Sequence, residues 1–210
     1  LAAEPFFLSS FRKSDFVEAN AAAMKYFVMA SAVIFTGIVL FKDMFALIVG
    51  ERFRQGIGIL PLVLAANVLS GIWLNLSFWY KREEKTRYAA YITFLGLGIT
   101  LAFSFLLVPR WGYRGAAWVR LAAEAAMVVW SYILCRRHYP IPYDLGRMGE
   151  YALITAAIYG IGHAAGMRLV PAAAIGVNCL LFAAMLAYMV RREKIDVRGL
   201  LRAVIHRGRV

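Results

Sequence analysis

Long apolar segments alternate with short basic segments along most of this chain. Three of the apolar segments, residues 60–80, 88–108 and 169–190, contain no Asp, Glu, Lys or Arg. Each is long enough to cross a hydrocarbon core of about 30 Å as a helix. Their length and the lack of an alternating apolar and polar pattern argue against membrane β-strands. The pattern therefore predicts an all-α, polytopic helical membrane protein.

Extending the pattern along the whole chain predicts six complete transmembrane helices, with boundaries at residues 26–41, 57–80, 88–108, 115–135, 151–167 and 169–190. Residues 1–8 (LAAEPFFL) have the pattern of the last turns of another apolar helix, so we expect upstream spans. The chain then divides into the end of a preceding helix with an interfacial connector (1–25), four helices of one lobe (26–137), a cytoplasmic loop (138–149), two additional transmembrane helices (150–190) and a basic tail (191–210).

The composition agrees with a membrane protein and explains the strong positive charge. Hydrophobic residues make up 62% of the chain, charged residues only 17%, and the mean hydropathy is +0.65. The net charge of +12 comes from Lys and Arg that lie mainly between the spans and in the tail. Their bias toward one side predicts a cytoplasmic C-terminus.

The tail itself has apolar residues at helical spacing, which favours an amphipathic helix on an anionic lipid surface over a nucleic-acid partner. Its candidate headgroup contacts are Arg191, Arg192, Arg198 and Arg202.

Polar side chains inside the spans are the candidate functional residues. Arg120 and Glu124 are four residues apart and share one face of the fourth span. Ionisable groups at membrane depth are costly and usually face a cavity or a partner. The pair is thus either a cavity-lining or coupling group or a structural pair that joins two helices. Asn67 and Asn75 in the second span either line the same path or bond to another helix.

An enzyme would need a nucleophile, a base or a metal site in mutual reach. His138 and Asp144, which flank the YPIPY turn, are the nearest candidates, and their position favours loop residues. Glycine-rich phosphate loops are absent, and Cys135 and Cys179 lack metal-ligand spacing. We therefore expect no cofactor, no metal and no catalytic residue.

Several segments taken in order resemble a known family. They are LAAEPFF near the start, NLSFWYK at 75–81, KTRYAAYI at 85–92, PRWGYRGAAW at 109–118 and YPIPYDL at 139–145. Together they resemble the C-terminal half of bacterial polysaccharide flippases of the O-antigen type. These belong to the multidrug/oligosaccharidyl-lipid/polysaccharide exporter superfamily.

The resemblance implies one lobe of a two-lobed helical bundle with a central cavity, plus an additional helix pair. It implies a transporter that moves undecaprenyl-diphosphate-linked oligosaccharide across the bacterial cytoplasmic (inner) membrane. The implied partners are that lipid-linked oligosaccharide, membrane lipids and an N-terminal lobe, with no nucleic acid. A small-molecule exporter of the same superfamily and a membrane enzyme of polysaccharide assembly are the alternatives.

Overall fold

The computed structural model describes residues 13–44, 56–168 and 170–193. Within these residues all regular structure is helical, which confirms the prediction of an all-α chain. The helices are α1 (Lys13–Leu40), α2 (Leu60–Leu76), α3 (Phe78–Arg82), α4 (Arg87–His138), α5 (Leu145–Arg168) and α6 (Pro171–Arg192). The predicted end of a preceding helix lies outside the described residues, and so does the predicted amphipathic tail from residue 194 onward.

Four helical stretches of the described chain are long and apolar enough to cross a membrane: Phe16–Leu40, Gly56–Arg82, Arg87–His138 and Ala173–Arg192. The described residues therefore show four such stretches, fewer than the six transmembrane helices predicted from the sequence. Two predicted spans, 88–108 and 115–135, both lie within the stretch Arg87–His138, where the non-helical backbone of Gly112 separates them. The predicted span 151–167 is helical as part of α5, but its tyrosines, glycines and His163 make it less apolar than the other spans.

The stretch α4 is a hairpin of two helical arms, because the chain reverses direction within it. As a straight rod its 52 residues would extend about 78 Å, more than twice the thickness of a bilayer core. Instead the Tyr88 hydroxyl lies 3.0 Å from Nε2 of His138 at the other end of the helix. Residues 87–111 therefore form a first arm and residues 113–138 a second arm that returns beside it.

The reversal between the two arms follows from three residues. Pro109 has no backbone N–H to continue the helical ladder. Gly112 has φ of 54° and ψ of −133°, a backbone conformation that residues with a Cβ rarely adopt. A Cβ on Gly115 would lie 2.5 Å from the carbonyl oxygen of Leu107, so only glycine lets the two backbones approach this closely.

Helix α1 is the central helix of the described structure, because it contacts α2, α5 and α6. On one side α2 packs against α4, and on the other α5 packs against α6. Helix α1 begins at Lys13, so residues 13–25 of the expected connector continue directly into the first predicted span. Phe16, Asn20 and Met24 are buried at intervals of four residues. This spacing places them on one face of the helix, which explains why the amphipathic first part of α1 is covered by protein.

Two apolar clusters flank α1. The first joins the beginning of α1 to α3, α4 and the loop after it, and its largest members are Phe16, Trp79 and Tyr80. The second joins the end of α1 to α5 and α6 through Leu40, Tyr151 and Met185 among others. Because α1 contributes to both clusters, it holds the α2–α4 part and the α5–α6 pair together.

Candidate functional site

Arg120 and Asn67 meet across the contact between α2 and the second arm of α4. The guanidinium Nη2 of Arg120 donates a hydrogen bond of 2.7 Å to Oδ1 of Asn67. Both residues are exposed on the surface of the described chain. The structure therefore brings together two of the residues that the sequence analysis singled out in different spans.

Glu124 lies one turn further along the same arm. Its carboxylate interacts electrostatically with Arg120 and accepts a hydrogen bond from the Ser70 side chain. Its second oxygen, Oε2, is buried and has no hydrogen-bond partner among the described residues. Arg120, Asn67, Glu124 and Ser70 thus form one polar group, which we call the Arg120 group.

The Arg120 group is deep in the predicted membrane region. Asn67 follows Gly56, the start of its apolar stretch, by about 16 Å along the helix axis. Arg120 follows the turn at Gly112 by about 12 Å, and Glu124 follows it by about 18 Å. Because the bond to Asn67 directs the guanidinium across to α2, Arg120 does not extend toward the near membrane surface.

Asn75 does not belong to this group. It lies about 12 Å along α2 from Asn67, and it is only 7% exposed. Its Oδ1 has no hydrogen-bond partner within the described part of the chain. The structure therefore separates Asn75 from the other predicted path residues and surrounds it with protein.

Ser70 was missed by the sequence analysis, although its spacing from Asn67 contained the signal. Residues three apart on a helix lie on the same face, so a serine at 70 shares the face of α2 that carries Asn67. Serine is common in membrane helices as a packing residue, so its type alone did not identify it.

A second polar group surrounds Glu193, where the middle of α1, the beginning of α5 and the end of α6 meet. Its carboxylate accepts hydrogen bonds from Lys25 at 2.5 Å, Tyr151 at 2.6 Å and Arg147 at 3.1 Å. The Glu193 side chain is only 3% exposed. Burial by itself raises the pKa of this carboxyl, but the three hydrogen bonds outweigh it and lower the pKa to about 2. The Glu193 cluster therefore holds a fixed negative charge where α1, α5 and the end of α6 meet.

The structure describes two of the four candidate headgroup contacts, Arg191 and Arg192. Arg191 is exposed. Arg192 pairs with Glu150 of α5, with 3.5 Å between Nη2 and Oε2. Arg198 and Arg202 lie outside the described residues.

The two residues considered for an enzymatic site have different partners. His138 stacks on Trp79, with ring centroids 5.8 Å apart, and bonds to Tyr88. Asp144 pairs with Arg147 at 2.9 Å. Each side chain is thus held by a contact of its own at the end or the beginning of a helix.

A cavity of about 430 Å³ lies between α1, α5 and α6 at the end away from the Glu193 cluster. Lys42, Asp43, His163 and Asn178 are among its lining residues. None of the predicted path residues lines it, so this cavity is separate from the Arg120 group.

Comparisons of this chain with protein-family models, with curated proteins and with solved structures find no match.

Proposed function

We propose that this chain forms the C-terminal lobe and the additional helix pair of a bacterial polysaccharide flippase. In this role it moves undecaprenyl-diphosphate-linked oligosaccharide from the inner to the outer leaflet of the cytoplasmic membrane for surface polysaccharide biosynthesis. The observation that carries the proposal is the exposed Arg120 guanidinium, bonded to Asn67 at membrane depth. The resemblance of the ordered sequence segments to this family supports it.

An exposed guanidinium at this depth needs a polar surrounding. Placing an arginine near the middle of a membrane helix costs about 2.5 to 3.5 kcal/mol on insertion scales. A water-containing cavity removes most of that cost, because the charge then keeps its hydration. We infer that the face of α2 and α4 with the Arg120 group lines such a cavity.

The substrate has chemical needs that this group can meet. A polar glycan and a diphosphate cannot enter hydrocarbon without a large desolvation cost. A guanidinium binds phosphate oxygens with paired hydrogen bonds, and amide and hydroxyl groups bind sugar hydroxyls. Arg120, Asn67 and Ser70 offer these donors and acceptors side by side. Glu124, which interacts electrostatically with Arg120, supplies a negative charge that competes with the diphosphate for the arginine and so favours release of the diphosphate.

The proposed transporter has six crossings in this chain. They are α1, α2 with α3, the two arms of α4, α5 and α6. Helix α5 counts as a crossing because its charged residues lie at its two ends. Arg147 and Glu150 are in its first two turns, Arg168 is its last residue, and the 17 residues 151–167 contain no Asp, Glu, Lys or Arg. By the bias of Lys and Arg between the spans, the end of the chain lies in the cytoplasm.

The test is a leaflet-accessibility assay with the full-length native protein in phospholipid vesicles. The probe is an undecaprenyl-diphosphate disaccharide with a fluorescent sugar, and a membrane-impermeant quencher reports which leaflet holds it. We expect the protein to make the inner-leaflet probe accessible to the quencher, and we expect the mass of the probe to stay unchanged. The control is vesicles without protein, in which about half of the probe should stay protected from the quencher.

Three results would contradict the proposal. Protection equal to that of empty vesicles would exclude flipping of this substrate class. A change in the mass of the probe would indicate an enzyme of polysaccharide assembly. Extrusion of small organic cations without movement of the probe would favour the small-molecule exporter.

A further inference from the structure

Four side chains form a groove at the tip of the α4 hairpin. Arg110 and Trp111 end the first arm, and Arg114 and Trp118 lie at the beginning of the second arm. They line a volume of about 470 Å³. Because the chain reverses at Gly112, between the two pairs, the groove is built from both arms.

The chemistry of this groove is uniform. Its lining consists of two arginines and two tryptophans, with no acidic residue. Neither arginine forms an ion pair with any residue that the structure describes. Trp111 is 56% exposed and Trp118 is 48% exposed. Within the described residues, the tip therefore presents two positive charges without an acidic partner, next to two accessible indole rings.

The position of the tip matches a membrane surface. Each arm of α4 is about 37 to 39 Å long, somewhat more than a hydrocarbon core of about 30 Å. If one end of the hairpin, at Tyr88 and His138, lies at one surface, the tip reaches the headgroup region of the other. Tryptophan is enriched at this depth because its ring is apolar and its N–H is polar. The arginines of the tip then lie at the level of lipid phosphates.

We propose that the Arg110, Trp111, Arg114 and Trp118 groove binds the phosphate of an anionic phospholipid. The two guanidinium groups donate hydrogen bonds to its phosphate oxygens, and the two indoles pack along its glycerol and upper acyl carbons. An anionic lipid is favoured over a zwitterionic one because the groove has two positive charges and no acid of its own. A lipid is favoured over soluble phosphate because the indoles require an apolar partner.

An aromatic belt alone does not account for this arrangement. Belt residues need only an interfacial depth, and Trp130, which is also exposed, has no arginine beside it in the sequence. At the tip, both tryptophans share one groove with both arginines. The convergence of charge and aromatic surface distinguishes this groove from single interfacial tryptophans.

The first test measures lipid retention by native mass spectrometry of the full-length protein titrated with phosphatidylglycerol or phosphatidylcholine. The variant is Arg110→Gln with Arg114→Gln. The matched control is Arg136→Gln with Arg137→Gln, an exposed arginine pair at the other end of the same helix. We expect about tenfold weaker phosphatidylglycerol binding in the tip variant and less than a twofold change in the control. Equal retention by the tip variant and the wild type would overturn the proposal.

Two further measurements do not depend on the folding of the variant. Photoreactive phosphatidylglycerol should label residues 108–120 of the wild-type protein, and labelling confined to other segments would overturn the proposal. Inorganic phosphate at millimolar concentration should leave the labelling unchanged. Displacement by inorganic phosphate would make this a soluble-phosphate site and would overturn the assignment to a lipid.

Discussion

The hydroxyl of Tyr88 donates a hydrogen bond to Nε2 of His138 across a 3.0 Å distance, although fifty residues separate them. The donor direction follows from the other ring nitrogen, because Nδ1 of His138 lies 3.1 Å from the Leu134 carbonyl, which only accepts. Both side chains also contact Trp79. The open end of the α4 hairpin is thereby joined to α3, and the two antiparallel arms are held together at that end.

Substitution of Gly115 tests the close approach of the two arms. A Cβ at this position would meet the Leu107 carbonyl oxygen at 2.5 Å, and a backbone atom cannot move aside as a flexible side chain does. We expect Gly115→Ala to lower the free energy of unfolding by about 1 to 3 kcal/mol. Thermal unfolding in detergent measures this change in the free energy of unfolding.

Gly98→Ala is the matched control, because a Cβ there meets nothing within 4 Å. It should be neutral, or stabilise the helix by up to about 1 kcal/mol. Equal effects of the two substitutions would contradict the hairpin geometry.

A double-mutant cycle of Arg120→Gln and Asn67→Ala tests the contact across α2 and α4. The two side chains share one hydrogen bond, so their effects on unfolding should not add. We expect a coupling free energy of about 1 kcal/mol, in the range for polar contacts between membrane helices. Equilibrium unfolding in detergent micelles gives the four values.

The same cycle with Asn75→Ala in place of Asn67→Ala serves as the control. Asn75 is about 12 Å along the helix from Asn67, so its effect should add to that of Arg120→Gln. Additive effects in the Asn67 cycle would show that the hydrogen bond makes no contribution.

Glu124→Gln separates a transport role of Glu124 from a structural one. Glutamine has nearly the same volume and still accepts a bond from Ser70, but it carries no charge. We expect transport in the leaflet-accessibility assay to fall at least about tenfold, which corresponds to about 1.4 kcal/mol in the rate-limiting barrier. The amount of protein in the membrane and its melting temperature should stay unchanged.

The control for this substitution is Glu18→Gln, an exposed glutamate of α1 outside the Arg120 group. It should leave transport unaffected. Wild-type transport in Glu124→Gln would remove Glu124 from the mechanism.

The Glu193 cluster predicts a pH dependence of stability. The pKa of Glu193 is lowered to about 2 in the folded protein from an ordinary value of 4.5. Its ionised form therefore stabilises the fold fully above pH 4.5, and this contribution is lost as the pH falls from 4.5 toward 2. We expect the difference in melting temperature between wild type and Glu193→Gln to be constant from pH 7 to pH 5 and to shrink below pH 4.5.

Glu18→Gln, at an exposed position of α1 outside the Glu193 cluster, is again the control. A wild-type advantage over Glu193→Gln that grows as the pH falls would contradict the lowered pKa. An advantage that is absent at pH 7 would contradict the stabilising role of the cluster.

Much of the fold was predictable because local composition decides whether a segment forms an apolar helix. Residues 88–108 and 115–135 were predicted as spans on either side of the PRWGYRGAAW segment, and Gly112 in that segment is where α4 reverses. The count of membrane-length helices was less predictable. The span 151–167 has no Asp, Glu, Lys or Arg, yet its polar and small residues leave α5 less apolar than the charge pattern suggested.

The polar contacts were predictable only in part. The spacing of Arg120 and Glu124 placed them on one face and favoured a direct pair, but the guanidinium bonds instead to Asn67, 53 residues away. Glu193 and Lys25 are 168 residues apart, and neither position alone indicated a partner.

The residue pattern is sufficient to show that this chain is made of apolar helices with polar residues at a few deep positions. That follows from the transfer free energy of each segment, which depends on its own residues. Which of those polar residues meet is known only from the packing of the helices. Membrane helices are similarly apolar on many faces, so the choice of neighbour depends on close packing and on hydrogen bonds between helices that are distant in sequence.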